Sequence, residues 1–189
     1  MLGRVASIAD QAALRRVVKE IPDPVASAVT TIGRAASGGA LWIGSAAALA
    51  VSGARGRRAA ARGLIAYGAA SALANGPAKW VARRDRPSGV LLKGLPRVGG
   101  QPNTSSFPSS HTAAATAFAL AASVELPAAA PVLGALGATV ALSRVIAVRH
   151  FPTDVVGGVV LGAAVGATVL VVARRRANDV EDDAIDTIA

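Results

Sequence analysis

The chain has 189 residues and only two histidines, and both lie in polar stretches that break an otherwise apolar sequence. Three such stretches stand out: KWVARRDRP at 79–87, PSSH at 108–111 and SRVIAVRHFPTD at 143–154. They supply cations first. Lys79, Arg86 and Arg144 would repel one another unless an anion joined them. Arginine presents a planar fork that matches phosphate oxygens two at a time, and lysine adds a point charge. The apolar run after His111 predicts a helix start, whose free amides and partial positive charge suit an anion. Ser109 or Ser110 is placed to cap that start.

The histidines supply the reaction. His150 and Asp154 are four residues apart, so a helix beginning near Pro152 lets the carboxylate reach the imidazole. An aspartate on one ring nitrogen fixes the tautomer and leaves the other nitrogen free to attack. His111 would approach phosphorus from the opposite side. One histidine then acts as nucleophile and the other protonates the leaving oxygen, through a phosphohistidine that water later cleaves. The cations stabilise charge on the equatorial oxygens. A His-x3-Asp metal pair is disfavoured by three neighbouring cations and by the lack of a third ligand.

The elements that must carry these residues are hydrophobic. With 52% hydrophobic residues, 16% charged and a mean hydropathy of +0.48, the chain falls in the membrane class. The net charge of +9 comes without the aromatic-interleaved basic stretches of a single-strand binder, so nucleic acid is not an expected partner. There is no cysteine, which excludes disulfides and thiolate metal sites. Residues 1–20 lack the unbroken apolar core of a signal peptide.

A span needs about 20 apolar residues. Five stretches are expected to cross: 35–53, 63–78, 112–126, 128–148 and 155–173. The fold class is therefore an all-α polytopic membrane bundle of about five helices. Residues 1–34 are expected to form an amphipathic interfacial segment broken at IPDP, because six charges would otherwise enter lipid. Residues 35–173 form the membrane domain, and 174–189 a basic stop with an acidic, disordered tail. Arg55, Arg57, Arg58 and Arg62 fall between the first two spans, and Arg174, Arg175 and Arg176 follow the last. The positive-inside rule puts both groups in the cytoplasm and all three polar clusters on the opposite face. Arg83, Arg84 and Arg149 fit headgroup anchors, Asp85 a partner for a neighbouring arginine, and Trp80, Phe107 and Phe151 interfacial anchors. Gly158, Gly162 and Gly166 mark either close packing within the bundle or a dimer face, so oligomeric state stays open.

Lys79, six residues, then Arg86-Pro87; Pro108-Ser109-Ser110-His111; and Ser143-Arg144, five residues, His150, three residues, Asp154: these follow one another in fixed order. In order and spacing they resemble the three-part signature of the type 2 phosphatidic acid phosphatase superfamily, over roughly residues 60–173. One motif alone is weak; three in register are specific. The resemblance implies a helical membrane lipid phosphatase that needs no metal or other cofactor. It implies phosphate binding by Lys79, Arg86, Ser109, Ser110 and Arg144, with His111 as acid, His150 as nucleophile and Asp154 as orienting carboxylate. The chain departs from the family at Ser110, where glycine is usual.

The short Ala-, Arg- and Val-rich chain is similar to actinobacterial members of that family. That likeness implies a polyprenyl-linked substrate such as decaprenylphosphoryl-phosphoribose. Phosphatidic acid, phosphatidylglycerophosphate and polyprenyl diphosphate stay open. A lipid-binding subunit without catalysis is the alternative of another class, and would need cations but no paired His150 and Asp154. A vanadate-dependent haloperoxidase shares the residue pattern but not the short hydrophobic chain.

Overall fold

The computed structural model describes residues 7–88 and 102–186, with side chains to Asp179. Every described element is a helix. Helix α1 spans Ile8–Glu20 and starts at Ser7, whose hydroxyl accepts the Asp10 amide at 3.1 Å. Pro22 and Pro24 end it and open α2, Asp23–Ser37. Gly39, at φ +78°, turns the chain into α3, Ala40–Ala50. Helix α4, Ala54–Leu73, runs into a π turn at Ala74–Ala78, where Pro77 has no amide to donate. A short α5, Lys79–Ala82, follows. Then come α6, Ser110–Glu125, a 3₁₀ turn at Pro127–Ala129, α7, Ala130–Ile146, and α8, Pro152–Asp186.

Helix α6 is the central post, packed between α4 and α8. Its alanines at 113, 114, 115, 117, 121 and 122 are buried, and small side chains let the backbones come close. Phe118 fills the space over Gly63, where a Cβ would sit 2.9 Å from the ring. Its ring also lies 5.0 Å from that of Trp42 on α3. The glycine run of α8 is spent on α6 of the same chain. A Cβ at Gly158 would come within 2.6 Å of the Ser109 carbonyl, and one at Gly162 would meet the Ala113 carbonyl. This close approach brings the start of α8 to the start of α6, where the Ser109 amide donates to the Asp154 carbonyl at 2.9 Å. The dimer face left open by the sequence is therefore occupied within the chain.

The bundle departs from the hydropathy reading in four places. The stretch 35–53 is not one helix, because residues 35–37 belong to α2 and the Gly38-Gly39 turn leaves α3 only 11 residues, about 16 Å at 1.5 Å per residue. Arg55, Arg57, Arg58 and Arg62 lie on α4 rather than in a loop, and Arg58 (3.4 Å) and Arg62 pair with Glu125. The segment before residue 35 is two helices whose apolar edge faces protein. Leu14 and Val18 are buried with Val145, Val148 and Phe151, worth about 1.5–3 kcal/mol per large side chain relative to water. Finally, α8 continues through Arg174–Arg176 to Asp186 in place of a disordered tail, since no glycine or proline interrupts 167–186.

Among the described residues, two segments are long and apolar enough to cross a bilayer by length and composition, Pro127–Ile146 and Pro152–Asp179, against the five expected. The outward faces of α4, α7 and α8 nevertheless expose Ile65, Val132, Val156 and Val160. Such a belt suits lipid contact better than water.

Candidate active site

The three polar clusters meet at one end of the bundle. A cavity of about 180 Å³ is lined by Lys79, Arg86, Ser110, His111, Arg144 and His150, together with Asn75, Pro102, Thr104 and Arg149. The π turn swings Lys79 off the axis of α4, and its Nζ donates to Asn75 Oδ1 at 2.8 Å. Helix α6 presents the amides of Ser110 and His111, which have no acceptor within the helix. Arg144 sits in the last turn of α7, and the turn after the helix delivers His150.

Arg86 is held from three sides. It donates to the Thr104 carbonyl at 3.0 Å and to the Ser105 carbonyl at 3.3 Å, and its Nη1 donates to the Arg149 carbonyl at 2.8 Å. Nη1 also lies 3.3 Å from His150 Nε2. Arg144 is anchored by Ser143 Oγ at 3.0 Å, Ser37 Oγ at 3.3 Å and the Gly33 carbonyl. A guanidinium has five N–H donors, so these bonds leave donors for a ligand.

The His150 ring is oriented differently from the expectation. Nδ1 lies 2.8 Å from the Ser106 carbonyl and 3.7 Å from Asp154 Oδ2. A carbonyl only accepts, so Nδ1 carries the proton and Nε2 is the free base. Asp154 is fully buried and occupied elsewhere: Oδ2 accepts the Phe151 amide at 2.8 Å, and Oδ1 accepts Arg84 Nη1 at 2.6 Å. Burial pushes the His150 imidazole below its ordinary range and Arg86 adds to that, while Asp154 and the Ser106 carbonyl oppose it. The ring is thus neutral near pH 7, as a nucleophile requires.

Ser109 is not among the lining residues. It occupies the N-cap position of α6 without a side-chain cap, and its hydroxyl accepts from Thr112 at 3.0 Å. With its amide on the Asp154 carbonyl, Ser109 joins α6 to α8 behind the cavity. Ser110, in the position of the usual glycine, lines the cavity.

Three partners in the site carry no sequence signal. Arg84 sits in a basic run that reads as headgroup anchoring, yet it bridges Asp154 to Asp10 of α1, with Thr153 Oγ1 at 2.6 Å. It also stacks on Phe151, 5.0 Å from the ring, and Phe151 is buried core rather than an interfacial anchor. Asp10 accepts the Thr153 hydroxyl at 2.6 Å and its amide at 3.2 Å. Arg149 lines the cavity, whereas Arg83 stays outside, 5.5 Å from the Trp80 ring. The Ser106 carbonyl is a backbone group that no side-chain pattern announces.

Lys79 sets a pH limit. Burial, helped by Arg86, lowers its pKa to about 8. Lysine is cationic below its pKa, so anion binding holds below about pH 8 and fades above it. The kcat/KM for an anionic substrate is expected to drop roughly tenfold one pH unit above that pKa if only the charged form binds. Lys79→Arg should flatten this limb, and an unchanged limb in that variant would remove Lys79 as its source.

Known proteins resemble this chain in family and in fold. The family model described as the PAP2 superfamily matches residues 60–178. Decaprenylphosphoryl-5-phosphoribose phosphatase of Mycolicibacterium smegmatis is 39% identical over 117 residues, 59% of this chain and 61% of that one. The chain thus spans about three-fifths of that relative's length. Among solved structures, the transmembrane PAP2-type phosphatidylglycerolphosphate phosphatase of Bacillus subtilis superposes with a TM-score of 0.68 at 21% identity, covering 88% of this chain and 85% of that one. LpxE of Aquifex aeolicus superposes with a TM-score of 0.70 at 20% identity, covering 87% and 96%. These two likenesses concern the fold.

Proposed function

The chain belongs to the PAP2 superfamily, and on that premise we propose that it hydrolyses a phosphomonoester or diphosphate on a membrane lipid. The observation that carries this reading is the single cavity lined by both histidines and by Lys79, Arg86 and Arg144. Phosphate oxygens take the Lys79 and Arg86 donors, the remaining Arg144 donors and the Ser110 and His111 amides. His150 Nε2 forms a bond to phosphorus, and the bond to the leaving oxygen breaks with its electron pair. Burial, with Arg144, His150 and Lys79 near it, lowers the His111 pKa to about 3 in the free protein, so the proton arrives with the phosphate: a monoanionic phosphate monoester passes its proton through His111 to that oxygen, and the lipid alcohol departs. His111 then takes a proton from water, whose oxygen joins phosphorus as the P–N bond breaks. Phosphate leaves and His150 returns to its neutral state. Nδ1–H on the Ser106 carbonyl, with Asp154 close by, steadies the imidazolium character that develops on attack.

The relative at 39% identity favours a polyprenyl-linked phosphosugar as substrate over a glycerophospholipid. The arginine-rich ends of α4 and α8 lie away from the cavity, which supports a multi-pass protein of the cell membrane with its site on the non-cytoplasmic face. The test is phosphate release in EDTA across a panel of polyprenyl phosphosugars, polyprenyl diphosphate, phosphatidylglycerophosphate and phosphatidic acid. Release is expected, fastest on the phosphosugar, and vanadate should inhibit it. Lipid binding without release from any member would replace the enzyme with a non-catalytic subunit.

A further inference from the structure

Two grooves flank the catalytic cavity, and they differ in chemistry. One, of about 530 Å³, shares Asn75, Lys79 and Thr104 with the cavity and adds Gly76, Pro77 and Trp80. Trp80 and its neighbour Val81 are largely exposed, an apolar pair that suits hydrocarbon. The other, of about 570 Å³, lies between α2 and the end of α7 and shares Arg144 and Arg149 with the cavity. Helix α2 lines it with Ser27, Thr30, Arg34 and Ser37, at spacings that put all four on one helix face.

This second groove is built for an anion. Among the described residues that line it there is no carboxylate, and Ala147 is the single apolar side chain. Its three guanidinium groups run from inside to outside, with Arg144 buried, Arg149 half-buried and Arg34 exposed. Arg144 is held by Ser37, Ser143 and the Gly33 carbonyl, and Arg34 donates to Thr31 Oγ1 at 2.7 Å. Among the described residues, no hydrogen bond or ion pair holds the Arg149 side chain. The turn that carries it is a forced one. Val148 sits at φ +55°, where a β-branched residue is rarely found, and the Arg149 and His150 amides both donate to the Arg144 carbonyl, at 3.0 and 3.2 Å. That turn sets Arg149 between the two spaces. A wall of one sign raises the local concentration of its counter-ion, and the hydroxyls of Ser27 and Thr30 can turn to donate to it.

The proposed hydrolysis makes two products with different destinations. The lipid alcohol stays with the membrane, and phosphate has to reach water. A phosphate that left Lys79, Arg86 and Arg144 along an apolar wall would lose all its charge partners at once. Along the α2 side it keeps a cation at every step. We propose that the groove between α2 and α7 is a second phosphate site, on the route by which product orthophosphate leaves, with Arg149 relaying it from Arg144 to Arg34. The inference rests on the phosphatase reading and gives α2 a part in product release. A phosphate also heads an anionic lipid, but a lipid seated here would find only Ala147 for its chain, which favours the free ion.

The test is product inhibition at constant ionic strength. The lipid alcohol leaves before phosphate, so orthophosphate at the catalytic cavity meets only the free enzyme and raises KM alone. Orthophosphate in the groove obstructs the next departure while the cavity is occupied, and so lowers kcat. Mixed inhibition is expected of the native protein. Arg34→Gln should weaken the kcat component at least about tenfold, the worth of one charge-assisted hydrogen bond, and leave the KM component in place. Arg34→Lys should restore part of it, and thermal unfolding shows that both variants are folded. Purely competitive inhibition in the native protein, or a kcat component unmoved in Arg34→Gln, would overturn the exit site and leave the phosphatase reading intact. An Arg34-dependent loss of kcat caused by phosphatidylglycerol in the micelle, and not by orthophosphate, would give the groove to a lipid headgroup and overturn it equally. A second readout needs no turnover. Lys79→Ala protein should broaden the phosphorus NMR line of orthophosphate, and adding Arg34→Gln should remove most of that broadening. If the broadening behaves so but the unmodified protein hydrolyses no lipid, the phosphatase reading fails and the exit role falls with it.

Discussion

Alanine at position 150 is expected to remove phosphate release from the preferred lipid, by a factor on the order of 10³ or more. The size of the effect follows from geometry. The His150 ring is buried, neutral and held with one nitrogen on the Ser106 carbonyl, so the other faces the cavity as an unprotonated base. Its near neighbour Arg86, given to phosphate in the proposed mechanism, is a guanidinium and cannot attack. The variant should keep its unfolding midpoint within a few degrees, which separates lost chemistry from lost structure. His111→Ala should cost less, about 10²–10⁴-fold, because water can replace a general acid in part. It should cost least on a substrate whose leaving group needs no proton. Acid quenching of the native protein during turnover should yield a labile N–P adduct that the His150 variant never forms. Turnover near the native rate in His150→Ala would end the covalent mechanism.

Arg84→Met is expected to destabilise the protein by about 3–5 kcal/mol, the usual cost of removing one partner from a buried ion pair. Arg84 is 12% exposed, and it serves two carboxylates, Asp10 at 2% and Asp154 at 0% side-chain exposure. Methionine preserves much of the packing on Phe151 but leaves both charges without their cation. Asp10→Asn in the same chain should recover part of the loss, and the double-mutant cycle should show strong coupling between positions 10 and 84. Activity should fall as well, since Asp154 would be free to shift from the Phe151 amide and from the His150 ring. Arg84→Lys should be intermediate, since an ammonium group does not reproduce the planar fork. A native unfolding midpoint in Arg84→Met would show that the bridge contributes nothing net.

The contrast between these two residues shows what the sequence makes legible. His150, His111, Lys79, Arg86 and Arg144 stand in polar clusters that interrupt an apolar sequence, where a polar group needs a reason, and spacing supplies one. Arg84 has the same side chain as its neighbour Arg83, and only the fold separates a bridge between two aspartates from an exposed cation beside Trp80. Asp10 lies more than seventy residues from Arg84, and a carboxylate in an amphipathic helix has no distinguishing context. Ser109 shows the converse, a motif residue placed behind the wall. In the scaffold, the apolar runs of α7 and α8 are readable because hydropathy alone decides them. The break at Gly38-Gly39 is hidden because glycine scores as a mild apolar residue while the backbone at Gly39 turns left-handed. The arginines of α4 look like a loop because charge outweighs the helix preference of the alanines between them, and their pairing with Glu125 appears only when α6 is in place.

One contact has a bearing on biosynthesis. Asp10 and Thr153 are joined across 143 positions of sequence, between the first described helix and the start of the last. A chain made only as far as α7 already holds Asp10 and Arg84 but lacks Thr153 and Asp154, the other two partners of that bridge. Loop closure over such a distance comes late in assembly. On the proposed mechanism, a chain cut short before Pro152 is therefore expected to release no phosphate, because the bridge at Arg84 and the Asp154 contact of the His150 ring cannot form.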